Sequence, residues 1–128
     1  MKKKVYICFD YEHDYELKEG LVGQAKHPDS PFEITDVSIK QEINSKWKYY
    51  ARQKIKKADI IIVVCGRHTD TASGVAAELS ITQEERKPYF LLCGRNDGNV
   101  RKPKNARSSD EIHKWTWDNL KKLINGGN

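Results

Sequence analysis

No apolar run in this 128-residue chain approaches the ~20 residues that a membrane helix needs, so no membrane partner is expected. The basic opening Met1-Lys2-Lys3-Lys4 leads only into Val5-Tyr6-Ile7-Cys8-Phe9. That core is too short for a secretory signal and lacks a small-residue cleavage site. The expected compartment is the cytoplasm. The three cysteines, Cys8, Cys65 and Cys93, are odd in number and form no Cys-x-x-Cys pair, which speaks against a disulfide framework or a thiolate metal site. Each lies within or at the end of an apolar run, so buried, reduced thiols are expected. His13, His27, His68 and His113 show no metal-ligand spacing among themselves or with the cysteines, and no metal is expected. The glycines are scattered, and neither a dinucleotide fingerprint nor a P-loop is present. There is no internal repeat and no low-complexity tract.

What is present is charge. The net charge is +5, with cations dense at positions 54–57 and 101–107. Such a balance permits nucleic-acid binding, but solvated helix faces and one basic loop account for it more simply, and nucleic acid is not the expected partner. A positive field also attracts an anionic small molecule such as a dinucleotide. The length argues for one domain over residues 1–128, able to bury roughly two-thirds of the surface its unfolded chain exposes.

Hydrophobic patterning orders the chain. Residues 4–9, 59–64 and 89–93 are continuous apolar runs, the signature of strands covered on both faces in a parallel sheet. Residues 32–37 alternate and carry charge, as an edge strand would. A short fifth strand is expected over 112–115. Between them lie helices: one beginning near Asp14 as N-cap with Leu17, Leu21 and Val22 on one face, and one over 38–58 with Ile39, Ile43, Trp47, Tyr50 and Ile55 as its apolar stripe. A third runs over 73–86, stopped before Pro88, and a fourth over 117–124. Trp115 and Trp117 are expected to pack that last helix. Residues 95–110 form a long basic loop. Alternating strands and helices of this length give a parallel sheet with right-handed crossovers. The expectation is a three-layer, flavodoxin-like α/β fold with five parallel strands in the order 2-1-3-4-5.

In such sheets ligands bind at the carboxyl ends of the strands. Asp10 follows the first strand, Asp36 lies near the end of the second, Asp70 follows the third, and Glu78 sits in the next helix. Helical side chains lean toward their N-terminus, so the Glu78 carboxylate points back toward the loop 67–73. A carboxylate there can hydrogen-bond a sugar diol or stabilise an oxocarbenium-like transition state. On spacing alone, a solvated helix carboxylate is the simpler account. A Cys65/His68 nucleophile is disfavoured, because Cys65 closes an apolar strand with no activating helix N-terminus.

Four segments carry a resemblance: residues 4–11, the Lys56-Lys57-Ala58-Asp59 entry into the strand ending at Val64, the Ala76-Ala77-Glu78-Leu79 helix, and Trp115-Thr116-Trp117-Asp118-Asn119-Leu120. Taken in order they resemble a TIR domain, and more closely the bacterial TIR-like family that includes the Thoeris anti-phage defence sensors. The resemblance implies a TIR-like fold and cleavage of NAD at the nicotinamide–ribose bond. The product would be an ADP-ribose-derived, cyclic or linear, nucleotide signal. NAD is then a substrate, and no cofactor is implied. Catalytic TIR domains place their glutamate in a Ser/Thr-x-x-Trp-Cys-x-x-Glu pattern on the helix after the third strand. Glu78 matches the glutamate and Thr71 the Ser/Thr, while Gly74 and Val75 replace the Trp and Cys. The implied catalytic residue is Glu78. Asp10, Tyr11, Asp36, Arg67, His68, Thr71 and Ser73 are the implied NAD-binding residues, and a solvated turn is the plain alternative for Asp10 and Tyr11. Residues 36–39 fall where the family has its assembly loop, with an ordinary connection as the alternative. The family further implies a homo-oligomer when active and a separate effector reached by the diffusible nucleotide. The alternative function is a non-catalytic TIR-like interaction and assembly module, which the Gly74 and Val75 departures favour. A response-regulator receiver is disfavoured, since Cys65 and Gly66 occupy the place of its acceptor aspartate.

Overall fold

The computed structural model describes residues 2–37, 46–95 and 98–126. Five parallel strands stand in the order β2-β1-β3-β4-β5: β1 Lys3–Cys8, β2 Phe32–Val37, β3 Ile60–Cys65, β4 Tyr89–Cys93 and β5 Ile112–His113. The helices are α1 Tyr15–Ala25, α2 Trp47–Lys57, α3 Ser73–Glu84 and α4 Trp117–Ile124, with a short 3-10 turn at Thr69–Thr71. The expected order, the parallel sense and the edge position of Phe32–Val37 are all observed. None of the helices, among the described residues, is long and apolar enough to cross a membrane.

Alternation along the central strands builds a core on each face. Val5, Ile7, Ile62, Val64, Phe90 and Leu92 turn one way and pack with Leu21 of α1 and with Leu120 and Ile124 of α4. Tyr6, Cys8, Ile61, Val63, Cys65 and Leu91 turn the other way and meet Ala51 and Ile55 of α2 and Val75 and Leu79 of α3. Each fully buried Ile, Leu or Val contributes about 1.5–3 kcal/mol, so β1 and β3 anchor both layers. Asp59 sets their register: its Oδ2 accepts from the Lys4 N–H at 2.8 Å while its own N–H donates to the Lys4 carbonyl at 2.7 Å. Trp115 packs against the first core as expected, and its indole N–H donates to Gln24.

Several boundaries differ from the sequence expectation. The helix expected over 38–58 starts at Trp47 within the described residues, and 38–45 lie outside them. Tyr50 is not part of the apolar stripe but 45% exposed, because Trp47, Ala51 and Ile55 already supply the inward face. The last strand spans only Ile112–His113 rather than 112–115, since the Thr116 hydroxyl caps α4 by accepting from the Asn119 N–H. Helix α3 ends at Glu84, two residues short of expectation. Arg86 adopts φ 56 and the Lys87 N–H reaches back to the Thr82 carbonyl, a left-handed helix stop built without glycine. Asp14 precedes α1 but makes no side-chain cap, because its carboxylate is engaged elsewhere.

The thiols also divide. Cys8 and Cys65 are buried and form no disulfide, whereas Cys93 is only half-buried, with its Sγ 3.1 Å from the Arg95 carbonyl. The expectation of three buried thiols therefore fails at Cys93, whose side chain leaves the sheet as β4 ends. Burial pushes the Cys65 thiol up to about 12. A thiol reagent on native protein should label Cys93 first and Cys65 very slowly. Rapid labelling of two or more cysteines, followed by mass spectrometry, would contradict this packing.

Candidate functional site

The carboxyl ends of β1 and β3 carry the predicted polar residues, and the structure brings part of them together. Asp10 is 7% exposed, not solvated. Its Oδ1 accepts from the backbone N–H groups of Glu12 and His13, so it closes the turn after β1. Its Oδ2 accepts from His13 Nδ1 at 2.8 Å. That bond, with the nearby charges of Asp10, Glu12 and Asp14, holds the His13 imidazole above its ordinary range. His68, from the connection after β3, stacks on His13 with ring centroids 4.1 Å apart. A carboxylate-oriented imidazole of this kind can hold or move a proton at Nε2. Tyr11 is partly exposed and stacks on Phe9, with Tyr15 at its edge.

Arg67, His68, Thr71 and Ser73 are all exposed along the β3–α3 connection. The Thr71 hydroxyl donates to the His68 carbonyl, and Thr69 is buried, its hydroxyl accepting from the Gly66 N–H at 2.7 Å. Asp36 is placed in β2 opposite Tyr6, beside the register shift that follows Val5. Of the expected assembly loop 36–39, residues 38 and 39 lie outside the described residues.

Beneath this edge, Asp14 is 1% exposed. Arg95 Nη2 donates to its Oδ1 at 3.0 Å and to Glu16 Oε1 at 2.6 Å. Burial pushes the Asp14 carboxyl up from its ordinary value, against the opposing pull of Arg95. The carboxylate lies over Gly66, where a Cβ would come within 2.2 Å of it. Glycine is required there by close approach. This pair ties the start of α1 to the end of β4.

Glu78 is the departure of largest consequence. It is 2% exposed, which removes the solvated-carboxylate account. The Tyr6 hydroxyl, rising from the middle of β1, donates to Glu78 Oε2. One turn earlier the Val75 carbonyl faces Cys8. The Glu78 carboxylate thus lies one helical turn below the carboxyl edge, with one oxygen drawn onto the sheet face by Tyr6. A buried carboxylate held by a donor is suited to stabilising positive charge, because the low local dielectric strengthens its field. Among the described residues no cluster of three or more His, Cys, Asp or Glu could hold a metal ion.

Sequence reasoning missed Tyr6, His13, Asp14 and Arg95. The Asp10/His13 spacing of three residues was a usable signal for the dyad. Nothing local could have paired Tyr6 with Glu78 or Asp14 with Arg95. A family model described as "Thoeris protein ThsB, TIR-like domain" matches residues 6–99, well over half of the chain. No curated protein matches it.

Proposed function

From the premise that the chain belongs to the Thoeris ThsB TIR-like domain family, we propose that it is a signalling enzyme cleaving NAD at the nicotinamide–ribose bond. Family membership places it in anti-phage defence. The observation that carries the enzymatic reading is the buried Glu78 carboxylate, held by Tyr6 on the helix after β3. In the reaction the C1′–N bond breaks and nicotinamide leaves with the electron pair as a neutral base. Glu78 steadies the positive charge that develops on the ribosyl carbon and orients the ribose hydroxyls. Water, or a nitrogen of the same nucleotide's adenine, captures that carbon and loses a proton, giving ADP-ribose or a cyclic derivative for a separate effector. Tyr11, Arg67, His68, Thr71 and Ser73 border the approach from the carboxyl edge, with Asp36 at its β2 side. Asp10 acts by orienting His13. At 2% exposure Glu78 touches no substrate in the resting arrangement, so turnover requires α3 to part from Tyr6. Self-association in the cytoplasm is the proposed trigger for that opening.

The test is nicotinamide release from NAD by purified protein, alone at high concentration and in extract from phage-infected cells. Release in either condition is the expected result. Absence of release in both leaves the non-catalytic assembly module, which the presence of Gly74 and Val75 in place of the family's Trp and Cys favours.

A further inference from the structure

Helix α2 has an inner and an outer face of different character. Inward, Ala51 and Ile55 are buried and Trp47 packs against the core. The helix and its preceding residue also carry six cations, Lys46, Lys48, Lys56 and Lys57 exposed and Arg52 and Lys54 half-buried, and no acidic residue lies in the segment. Arg52 is engaged by Glu84 and Glu85, and the Lys48 ammonium lies over the Trp47 ring. Tyr49 and Tyr50 stand between the cations, 60% and 45% exposed. Their rings meet edge to face, 5.6 Å apart at 72°, so each braces the other while both residues remain exposed. Folding explains the inner face and solvation explains the lysines. Neither explains two adjacent aromatic rings held outside the core.

We propose that the outer face of α2 binds single-stranded nucleic acid, with bases stacking on Tyr49 and Tyr50 and phosphates meeting the lysines on either side. Lys46 and Lys54 lie one helical turn before and after Tyr50, and Lys57 about two turns beyond it. The cations therefore bracket the rings over about 16 Å of helix. Single strands supply what this face lacks, a planar ring and a negative charge in every repeat, and proteins that bind them combine aromatic platforms with a cationic track. An anionic membrane is the poorer match. A helix that lies on lipid turns a broad apolar face outward, and here the aliphatic residues of α2 all turn inward. The binding is independent of the NAD reading and of Glu78, on a surface where substitutions leave the core intact.

The experiment is fluorescence anisotropy with a labelled, mixed-sequence 20-nucleotide single strand, as DNA and as RNA, across a salt series. The parent should bind, with affinity falling steeply as salt rises. Tyr49→Ser/Tyr50→Ser should weaken binding at fixed salt at least tenfold without lowering Tm. Lys54→Gln/Lys56→Gln/Lys57→Gln should make the salt slope shallower by about 2. No binding even at low salt overturns the proposal. So does binding that the tyrosine replacements leave unchanged, which reduces the face to a diffuse positive field. Tighter binding to vesicles containing anionic lipid than to the oligonucleotide also overturns it and assigns the face to membranes.

Discussion

Replacing Glu78 by glutamine is expected to lower NAD turnover by on the order of a hundredfold or more while leaving the protein folded. A charge that meets a developing oxocarbenium ion acts in the transition state, so its removal falls on kcat rather than on substrate binding. The fold should survive because the glutamine carbonyl can still accept the Tyr6 hydroxyl that now reaches Glu78 Oε2, and glutamine is nearly as good a helix former as glutamate. Glu84→Gln is the control for helix charge. Glu84 meets Arg52 at the surface, where such pairs contribute little, and its loss should leave turnover unchanged. Tyr6→Phe separates holding from chemistry: it keeps the carboxylate but removes its donor, so stability should fall by about 1–3 kcal/mol. Parental turnover in Glu78→Gln protein with an unchanged melting temperature would end the catalytic assignment.

The largest stability effect is expected at Arg95. Arg95→Met keeps the packing of the stem but strips Asp14, 1% exposed, of its cation. Breaking a buried pair by removing one partner costs about 3 kcal/mol or more, or roughly 10 °C in Tm for a domain of this size. The loss should depend on pH. The Asp14 carboxyl is already pushed above its ordinary value by burial. A carboxyl raised in the folded state contributes stability below its unfolded value and loses that contribution as pH rises through the folded value. Without Arg95 the folded value rises further, so the deficit is full at neutral pH and shrinks on acidification, as Asp14 takes up a proton. The check is the Tm difference between parent and variant from pH 7 down to about 4. A difference that stays constant over that range would show that Asp14 is not the group left stranded.

The strand order was legible because two-sided burial writes itself into sequence as uninterrupted runs such as Ile60-Ile61-Ile62-Val63-Val64, while the edge strand Phe32–Val37 alternates. Element ends were less legible. A 3.6-residue periodicity includes any aromatic near the stripe, and so Tyr50 was assigned inward although it is exposed. An aspartate before a helix reads as a cap, yet Asp14 faces Arg95, 81 positions away in sequence. The position of Glu78 on the helix after β3 followed from the chain alone; its burial did not.

What the sequence determined by itself is the parallel α/β architecture, the family, and a carboxylate on α3, since each rests on local pattern: hydrophobic runs, their spacing, and residues in a motif. The tertiary structure alone decided the partners. Tyr6 under Glu78, His68 on His13 and Arg95 on Asp14 join groups from separate crossovers. A one-dimensional pattern shows which face a residue occupies, but only the folded sheet determines which residue from another strand or loop arrives opposite it.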